Sequence, residues 1–164
     1  TTLTLAYIGK KSLTLAHIGD SRIYYIRKGK ALYRSEDHSL VNSLVRLGRI
    51  TPAEARIHPQ RNLILRAIQG SHIPTEAEVI QWQDIQTGDW LFLCSDGALE
   101  RMDDKQLLQL FSNAHNPIEI KENLLEICEG KTRDNYSFYL IPLRRTEGTT
   151  RLKQNLLSFL YSLA

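Results

Sequence analysis

An α+β fold with antiparallel sheet is predicted by three features of this sequence. Two near-copies, Leu3-Thr4-Leu5-Ala6-Tyr7-Ile8-Gly9 and Leu13-Thr14-Leu15-Ala16-His17-Ile18-Gly19, stand ten residues apart and are joined through Gly9-Lys10-Lys11-Ser12. Their alternation around a turn is that of a hairpin. After Asp37 the apolar residues change to helical spacing. Further on, Trp90-Leu91-Phe92-Leu93-Cys94 is too continuously apolar to face water on either side, and it stops abruptly at Ser95-Asp96-Gly97. It reads as a strand buried on both faces.

The remaining elements follow in order. Residues 21–27 make a third strand, Lys28-Gly29-Lys30 a turn and residues 31–35 a fourth strand, which predicts a sequential meander. Leu40, Leu44, Val45 and Leu47 mark a helix closed by Gly48. Thr51-Pro52-Ala53-Glu54 is a helix start, with Thr51 as cap, Pro52 in the first turn and Glu54 completing a capping box. His58-Pro59 ends that helix, and residues 60–70 read as a loop. Residues 75–81 alternate as a strand, and Gln86-Thr87-Gly88-Asp89 turns into the buried one. Helices are predicted over 103–111, capped by Asp103 or Asp104, and over 117–128, stopped by Gly130. Residues 136–143 form a last strand. In the tail, Leu152, Leu156, Leu157, Phe159, Leu160 and Leu163 give residues 149–164 the apolar stripe of an amphipathic helix.

A length of 164 residues with 42% hydrophobic residues suits one domain with a real core. The net charge of +3 is mild, and no basic block with interleaved aromatics occurs, so no nucleic-acid partner is expected. Cys94 and Cys128 lie far apart and read as reduced, buried thiols of an intracellular, cytoplasmic protein. No secretory leader pattern is visible, and the strand-like Thr1-Thr2-Leu3 suggests that the sequence starts inside a fold. No run of 18 apolar residues is present. The tail is expected to pack on the domain, or to meet a partner or a membrane surface.

Three acidic positions stand at strand ends. Asp20 lies in Ile18-Gly19-Asp20-Ser21-Arg22, Asp96 in Ser95-Asp96-Gly97 with Glu100 four residues on, and Asp134 in Arg133-Asp134-Asn135. Singly, each is ordinary turn chemistry. On neighbouring strands they would converge, and convergent carboxylates favour a hard cation, Mg²⁺ or Mn²⁺. Such an ion lowers the pKa of bound water and orients a phosphoryl oxygen. His17, His38, His58, His72 and His115 show no ligand spacing, although His58 shares its loop with Arg61 and Arg66.

The combination is far more specific than its parts. In order, the chain carries Thr1-Thr2-Leu3, Ala16-His17-Ile18-Gly19-Asp20-Ser21-Arg22-Ile23-Tyr24, Glu36-Asp37-His38-Ser39-Leu40 and Leu47-Gly48-Arg49-Ile50-Thr51 with Glu54-Ala55. His58-Pro59-Gln60-Arg61-Asn62, Leu65-Arg66-Ala67, Gly88-Asp89, Leu93-Cys94-Ser95-Asp96-Gly97 and Asp134-Asn135 follow. This series resembles the metal-dependent (type 2C) protein serine/threonine phosphatases, especially the bacterial branch, over residues 1–143. The resemblance implies a four-layer αββα fold, an antiparallel β-sandwich flanked by helices. It implies that Asp96 and Asp134 are catalytic ligands of two Mg²⁺ or Mn²⁺ ions. Asp20 with Asp96 would hold a third, weaker ion, with Glu100 close to it. Residues 37–68 would be a flap beside the site, with His58 and Arg61 as substrate contacts. The activity implied is hydrolysis of phosphoserine and phosphothreonine in proteins by a metal-activated water, without a phosphoenzyme.

The sequence departs from that pattern in small ways at Ile68-Gln69-Gly70 and Tyr136-Ser137-Phe138, neither a ligand position, and in one large way. The family's N-terminal acidic motif, its Asp-Gly-x-Gly-Gly motif and its phosphate-binding arginine are not found, so the first strands and helices of the fold are expected to be missing here. Weak metal binding and little activity are then expected of this chain alone. Exposed sheet edges would favour self-association. The alternative is a metal-free binding or regulatory module of the same fold, but retention of Asp20, Asp96 and Asp134 argues for a catalytic parent.

Overall fold

The computed structural model describes residues 1–70, 74–114, 116–144 and 161–162. One antiparallel sheet contains β1 (Leu3–Ile8), β2 (Leu13–Ile18) and β5 (Glu78–Trp82), in the order β1-β2-β5. The second contains β3 (Arg22–Arg27), β4 (Lys30–Arg34), β6 (Trp90–Cys94), β7 (Ser137–Pro142) and β8 (Tyr161–Ser162), in the order β4-β3-β6-β7-β8. Helices α1 (Leu40–Arg46) and α2 (Pro52–Ile57) lie between β4 and β5, and α3 (Asp104–Asn113) and α4 (Pro117–Cys128) between β6 and β7.

The meander expected of the first four strands is corrected by this topology. β1 pairs with β2 and β3 with β4, but β2 and β3 belong to different sheets. The chain crosses between the sheets at Gly19, whose φ is +104° and where a Cβ would collide with the Thr2 side chain. Only glycine takes that conformation and that closeness without strain. The second turn is as expected. Lys28 (φ +50°) and Gly29 (φ +70°) both lie in the left-handed region, as a tight hairpin requires.

Two cores result. Leu13, Leu15, Ile23, Tyr25, Leu91, Leu93 and Leu143 fill the space between the sheets. On the other face of the larger sheet, Tyr24, Ile26, Phe92, Phe138 and Leu140 pack against Leu107 and Phe111 of α3 and Ile120, Leu124 and Cys128 of α4. β3 and β6 are therefore buried on both faces, which is why residues 90–94 show no polar alternation. Each fully buried Leu or Phe contributes about 2 kcal/mol. Both cysteines are buried and unpaired. Three of the four expected layers are present among the described residues. Among the described residues nothing covers the outer face of the smaller sheet, where Leu5, Tyr7 and Val79 are exposed.

The helix starts are local chemistry. Thr51 and Glu54 make the expected capping box, Asp103 and Gln106 make another, and Asn116 caps α4 ahead of Pro117. The amphipathic helix expected over 149–164 lies outside the described residues, apart from Tyr161–Ser162, which add to the edge of β7 as strand. Among the described residues no helix is long and apolar enough to cross a membrane.

A buried polar cluster closes the end of the larger sheet away from Asp96. Asp89, 1% exposed, accepts from Tyr25 Oη (2.5 Å), Arg27 Nε (2.8 Å) and Nη2 (2.9 Å), and the Gln86 amide (2.8 Å). Burial works to raise its pKa, and these donors outweigh it, leaving the carboxyl below its ordinary range. Replacing Asp89 with Ala strands a guanidinium and a phenol, and is expected to cost about 3 kcal/mol of unfolding free energy by urea titration. A loss under about 0.5 kcal/mol, the scale of an ordinary surface substitution, would contradict this account.

Candidate metal centre

Strand register brings the three acidic positions together. Arg22 of β3 pairs with Cys94 of β6, and Cys94 pairs with Phe138 of β7. Thus β3 and β7 begin where β6 ends. Asp20 precedes β3 by two residues, Asp96 follows β6 by two, and Asp134 lies in the loop entering β7. All three carboxylates stand at one end of the sheet.

Backbone contacts fix the loops that carry them. Ser95 and Ser137 are joined twice, by Ser95 N–H to the Ser137 carbonyl and by Ser137 N–H to Ser95 Oγ, each 3.0 Å. Asp96 opens a single 3₁₀ turn, Asp96–Leu99. A Cβ on Gly97 would strike the Asn135 carbonyl, so this glycine lets the 134–135 loop lie directly on the turn. Glu100 Oε2 accepts from the Arg133 amide at 2.7 Å, with the Asp134 amide at 3.4 Å. Its carboxylate thereby holds the loop of Asp134 in place.

Asp96 and Asp134 are exposed and Asp20 is half-buried. Crowding by protein and the charge of Asp96 raise the pKa of Asp20. Crowding and the charge of Asp134 raise that of Asp96. Asp37 adds to the repulsion at both. Burial is the larger cause of both shifts, and the nearness of like charges adds to it. Carboxylates suit Mg²⁺ or Mn²⁺, but among the described residues the ligand oxygens of Asp20, Asp96 and Asp134 do not all lie within 4.8 Å of one another.

Residues 37–68 leave the sheet beside this cluster and return to it. Arg22 grips Asp37 with two 2.6 Å bonds, Nε to Oδ1 and Nη2 to Oδ2. His38 N–H donates to the Gly19 carbonyl (2.9 Å), Gly19 N–H to His38 Nδ1 (3.1 Å) and Leu65 N–H to the His38 carbonyl (2.7 Å). Ser39 and Ile64 form a bridge. His58 and Arg61 lie farther along this flap. His58 Nδ1 accepts from the Gln60 amide at 3.1 Å, and Arg61 is exposed.

His17, His38 and Glu78, by contrast, place three donor atoms within 4.8 Å of one another. Their geometry suits hydrogen bonding better than a metal. His38 Nδ1 accepts from Gly19, so in the neutral ring Nε2 carries the proton and faces Glu78 Oε2 at 3.5 Å. His17 Nε2–H donates to the Glu36 carbonyl (2.9 Å), leaving a buried Nδ1 without a partner. The two rings stack at 4.6 Å and 18°, so their in-plane lone pairs lie in two nearly parallel planes. The Arg66 guanidinium lies 3.3 Å from His38 Nε2.

Local patterns found Asp20, Asp96 and Asp134 but missed Arg22, Asp37 and His38 as the anchors of the flap. The signal was present in Asp37-His38 at the point where strand spacing gives way to helical spacing.

No protein-family model matches the chain. Relatives are nonetheless clear. The serine/threonine protein phosphatase PstP of Mycobacterium tuberculosis is 39% identical over 127 residues, which cover 73% of this chain and 24% of that protein. The solved structure of the serine/threonine phosphatase Stp1 from Staphylococcus aureus superposes with a TM-score of 0.77 at 30% identity, covering 87% of this chain and 56% of that one. The chain belongs to the metal-dependent, type 2C phosphatase family. A further solved structure, the catalytic domain of the serine/threonine protein phosphatase PstP in complex with two manganese ions, matches with a TM-score of 0.71 at 33% identity, covering 85% of this chain and 56% of that one. The chain spans about half or less of the length of the curated type 2C relatives it matches.

Two predictions follow from the charges of this region. In EDTA, Asp96→Asn relieves repulsion and raises the melting temperature, while Mn²⁺ raises that of the wild type and much less that of the variant. A variant less stable than wild type in EDTA would contradict the repulsion. Burial, Arg66 and His17 hold the His38 pKa below its ordinary 6.5. The unfolded chain therefore takes up the proton first. The contribution of His38 to stability is full above about pH 6.5 and is lost as pH falls through the lowered value. Urea midpoints measured downward from pH 7.5 should show this loss, and His38→Gln should flatten it.

Proposed function

We propose that the chain forms part of the active centre of a protein serine/threonine phosphatase that depends on Mg²⁺ or Mn²⁺. The observation that carries the proposal is the alignment of Asp20, Asp96 and Asp134 at one end of β3, β6 and β7. Asp96 and Asp134 would hold the two principal ions, and Asp20 with Asp96 a third. When bound, such ions lower the pKa of water and neutralise charge on a phosphoryl group. The chain's own residues supply position. Glu100 fixes the loop of Asp134, Gly97 lets that loop approach Asp96, and Arg22 neutralises Asp37 beside the cluster. His58 and Arg61 on the flap would meet the phosphoprotein substrate.

A metal-free regulatory module of the same fold would gain nothing from three repelling carboxylates, so the catalytic reading is favoured. Three carboxylates leave much of the coordination of two ions to water, and this chain alone is proposed to bind metal weakly and turn over slowly. The face and edge of β1, which no other described residue covers, support self-association. The two buried, unpaired thiols suit a reducing, cytoplasmic setting.

The test is hydrolysis of p-nitrophenyl phosphate and of a phosphothreonine peptide with added Mn²⁺. Slow, EDTA-sensitive turnover is expected. Asp96→Asn and Asp134→Asn should each reduce it about 100-fold or more, the scale of losing several kcal/mol of charge stabilisation. Turnover indifferent to EDTA and to both substitutions would overturn the assignment.

A further inference from the structure

The flap carries a charge pattern that the metal centre does not account for. Between residues 40 and 66 stand five arginines, Arg46, Arg49, Arg56, Arg61 and Arg66, against one acid, Glu54. That excess is larger than the net charge of +3 of the whole chain, so the rest of the molecule is slightly acidic. Glu54 is occupied in the cap of α2, where Oε2 accepts from Thr51 N–H (2.7 Å) and Oγ1–H (2.9 Å). Arg66 is engaged at the flap root with the Glu76 carbonyl (2.5 Å). Arg46, Arg49, Arg56 and Arg61 are exposed, and among the described residues none of them is in a salt bridge. Two apolar side chains are interleaved with them, Leu47 at 69% and Ile57 at 80% exposure.

This surface has no evident structural duty. α1 and α2 bury no residue, so their arginines do not cover a core. The flap is attached chiefly at its root, through Arg22–Asp37 and the His38 contacts, and Asp37 is close enough for its charge to be felt at Asp20 and Asp96. A segment with four unpaired guanidinium groups thus has its root close to the acidic positions. Guanidinium forks bind carboxylate and phosphate oxygens bidentately.

We propose that Arg46, Arg49, Arg56 and Arg61 form a docking surface for acidic residues that flank the phosphorylated residue of the substrate. The proposal rests on the phosphatase reading and narrows it, since it selects phosphopeptides with acidic neighbours over those with basic ones. Leu47 and Ile57 supply apolar contact between the charges. An anionic membrane is the less favoured occupant, because the acidic centre at the flap root would be pressed against like charge.

The experiment is fluorescence anisotropy with the Mn²⁺-loaded chain and two labelled peptides of equal length. Both carry one phosphothreonine, flanked by glutamates in one and by lysines in the other. The acidic peptide is expected to bind about tenfold more tightly at 50 mM salt, as a few surface ion pairs allow, with most of the difference gone at 500 mM. The triple variant Arg46→Glu, Arg49→Glu, Arg56→Glu should reverse the order, and the triple Arg→Lys variant should keep it, provided circular dichroism shows both folded. Equal affinity for the two peptides, or a preference unchanged in the Glu variant, overturns the proposal. So does loss of binding to phosphatidylserine vesicles in the Glu variant with no peptide preference in wild type. Failure of the underlying reading would look different. The preference for acidic flanks would then be the same with threonine in place of phosphothreonine, and p-nitrophenyl phosphate would not be hydrolysed.

Discussion

The antiparallel register that sets Arg22 opposite Cys94, and Cys94 opposite Phe138, is the constraint on which the acidic end of the molecule depends. A slip of one residue in any of these strands would turn its core side chains to the wrong face. β3 and β6 carry large apolar residues toward both cores, so a slip would exchange Tyr24 with Tyr25 and Leu91 with Phe92 between two differently shaped cores. The same packing that fixes the register fixes the positions of Asp20, Asp96 and Asp134 just beyond it. A strongly buried pair of strands can hold mutually repelling carboxylates in place, where a loop alone would splay them apart.

The crossover at Gly19 makes this geometry serve a second purpose. Because the chain passes there from one sheet to the other, Asp20 lies at the seam between them, and the amide and carbonyl of Gly19 are free to bind the flap through His38. Asp37 leaves the same point gripped by Arg22, whose guanidinium pKa the carboxylate raises against the opposing effect of burial. Flap and acidic centre therefore share one anchor. A disturbance of Arg22–Asp37 would reach both the orientation of the flap and the field at Asp20 and Asp96.

What was legible in the sequence was local. The capping boxes at Thr51 and Asp103, the turn at Lys28-Gly29 and the doubly buried run 90–94 are each determined by residues within a few positions. The partner of β2 was not legible, because alternation specifies a strand and a face but not a neighbour, and Val79 to Trp82 offered β2 as good a match as β3. The site was legible as residue types and became a site only through register. Arg22–Asp37 spans 15 residues and Glu100 to the Arg133 amide spans 33, and no local pattern reports such pairs. Glu100 illustrates the limit well. The resemblance places Glu100 near a third ion, and no local pattern shows that its Oε2 accepts from the backbone that carries Asp134.

Asp89 and Asp96 stand at opposite ends of β6 and answer the question of what a carboxylate is for. Asp89 is almost wholly buried, yet its pKa lies below the ordinary range, because Arg27, Tyr25 and the Gln86 amide all donate to it. Asp96 is open to solvent, yet its pKa is raised, because crowding is joined by the charges of Asp134 and Asp37 with no cationic side chain bonded to it. Partners decide, and a carboxylate whose neighbours are all of its own sign stores repulsion that a bound cation would relieve. The folded chain satisfies the charge it needs for stability at Asp89 and leaves unsatisfied the charge it presents at Asp96. That asymmetry along a single strand separates the structural end of the sheet from the chemical one.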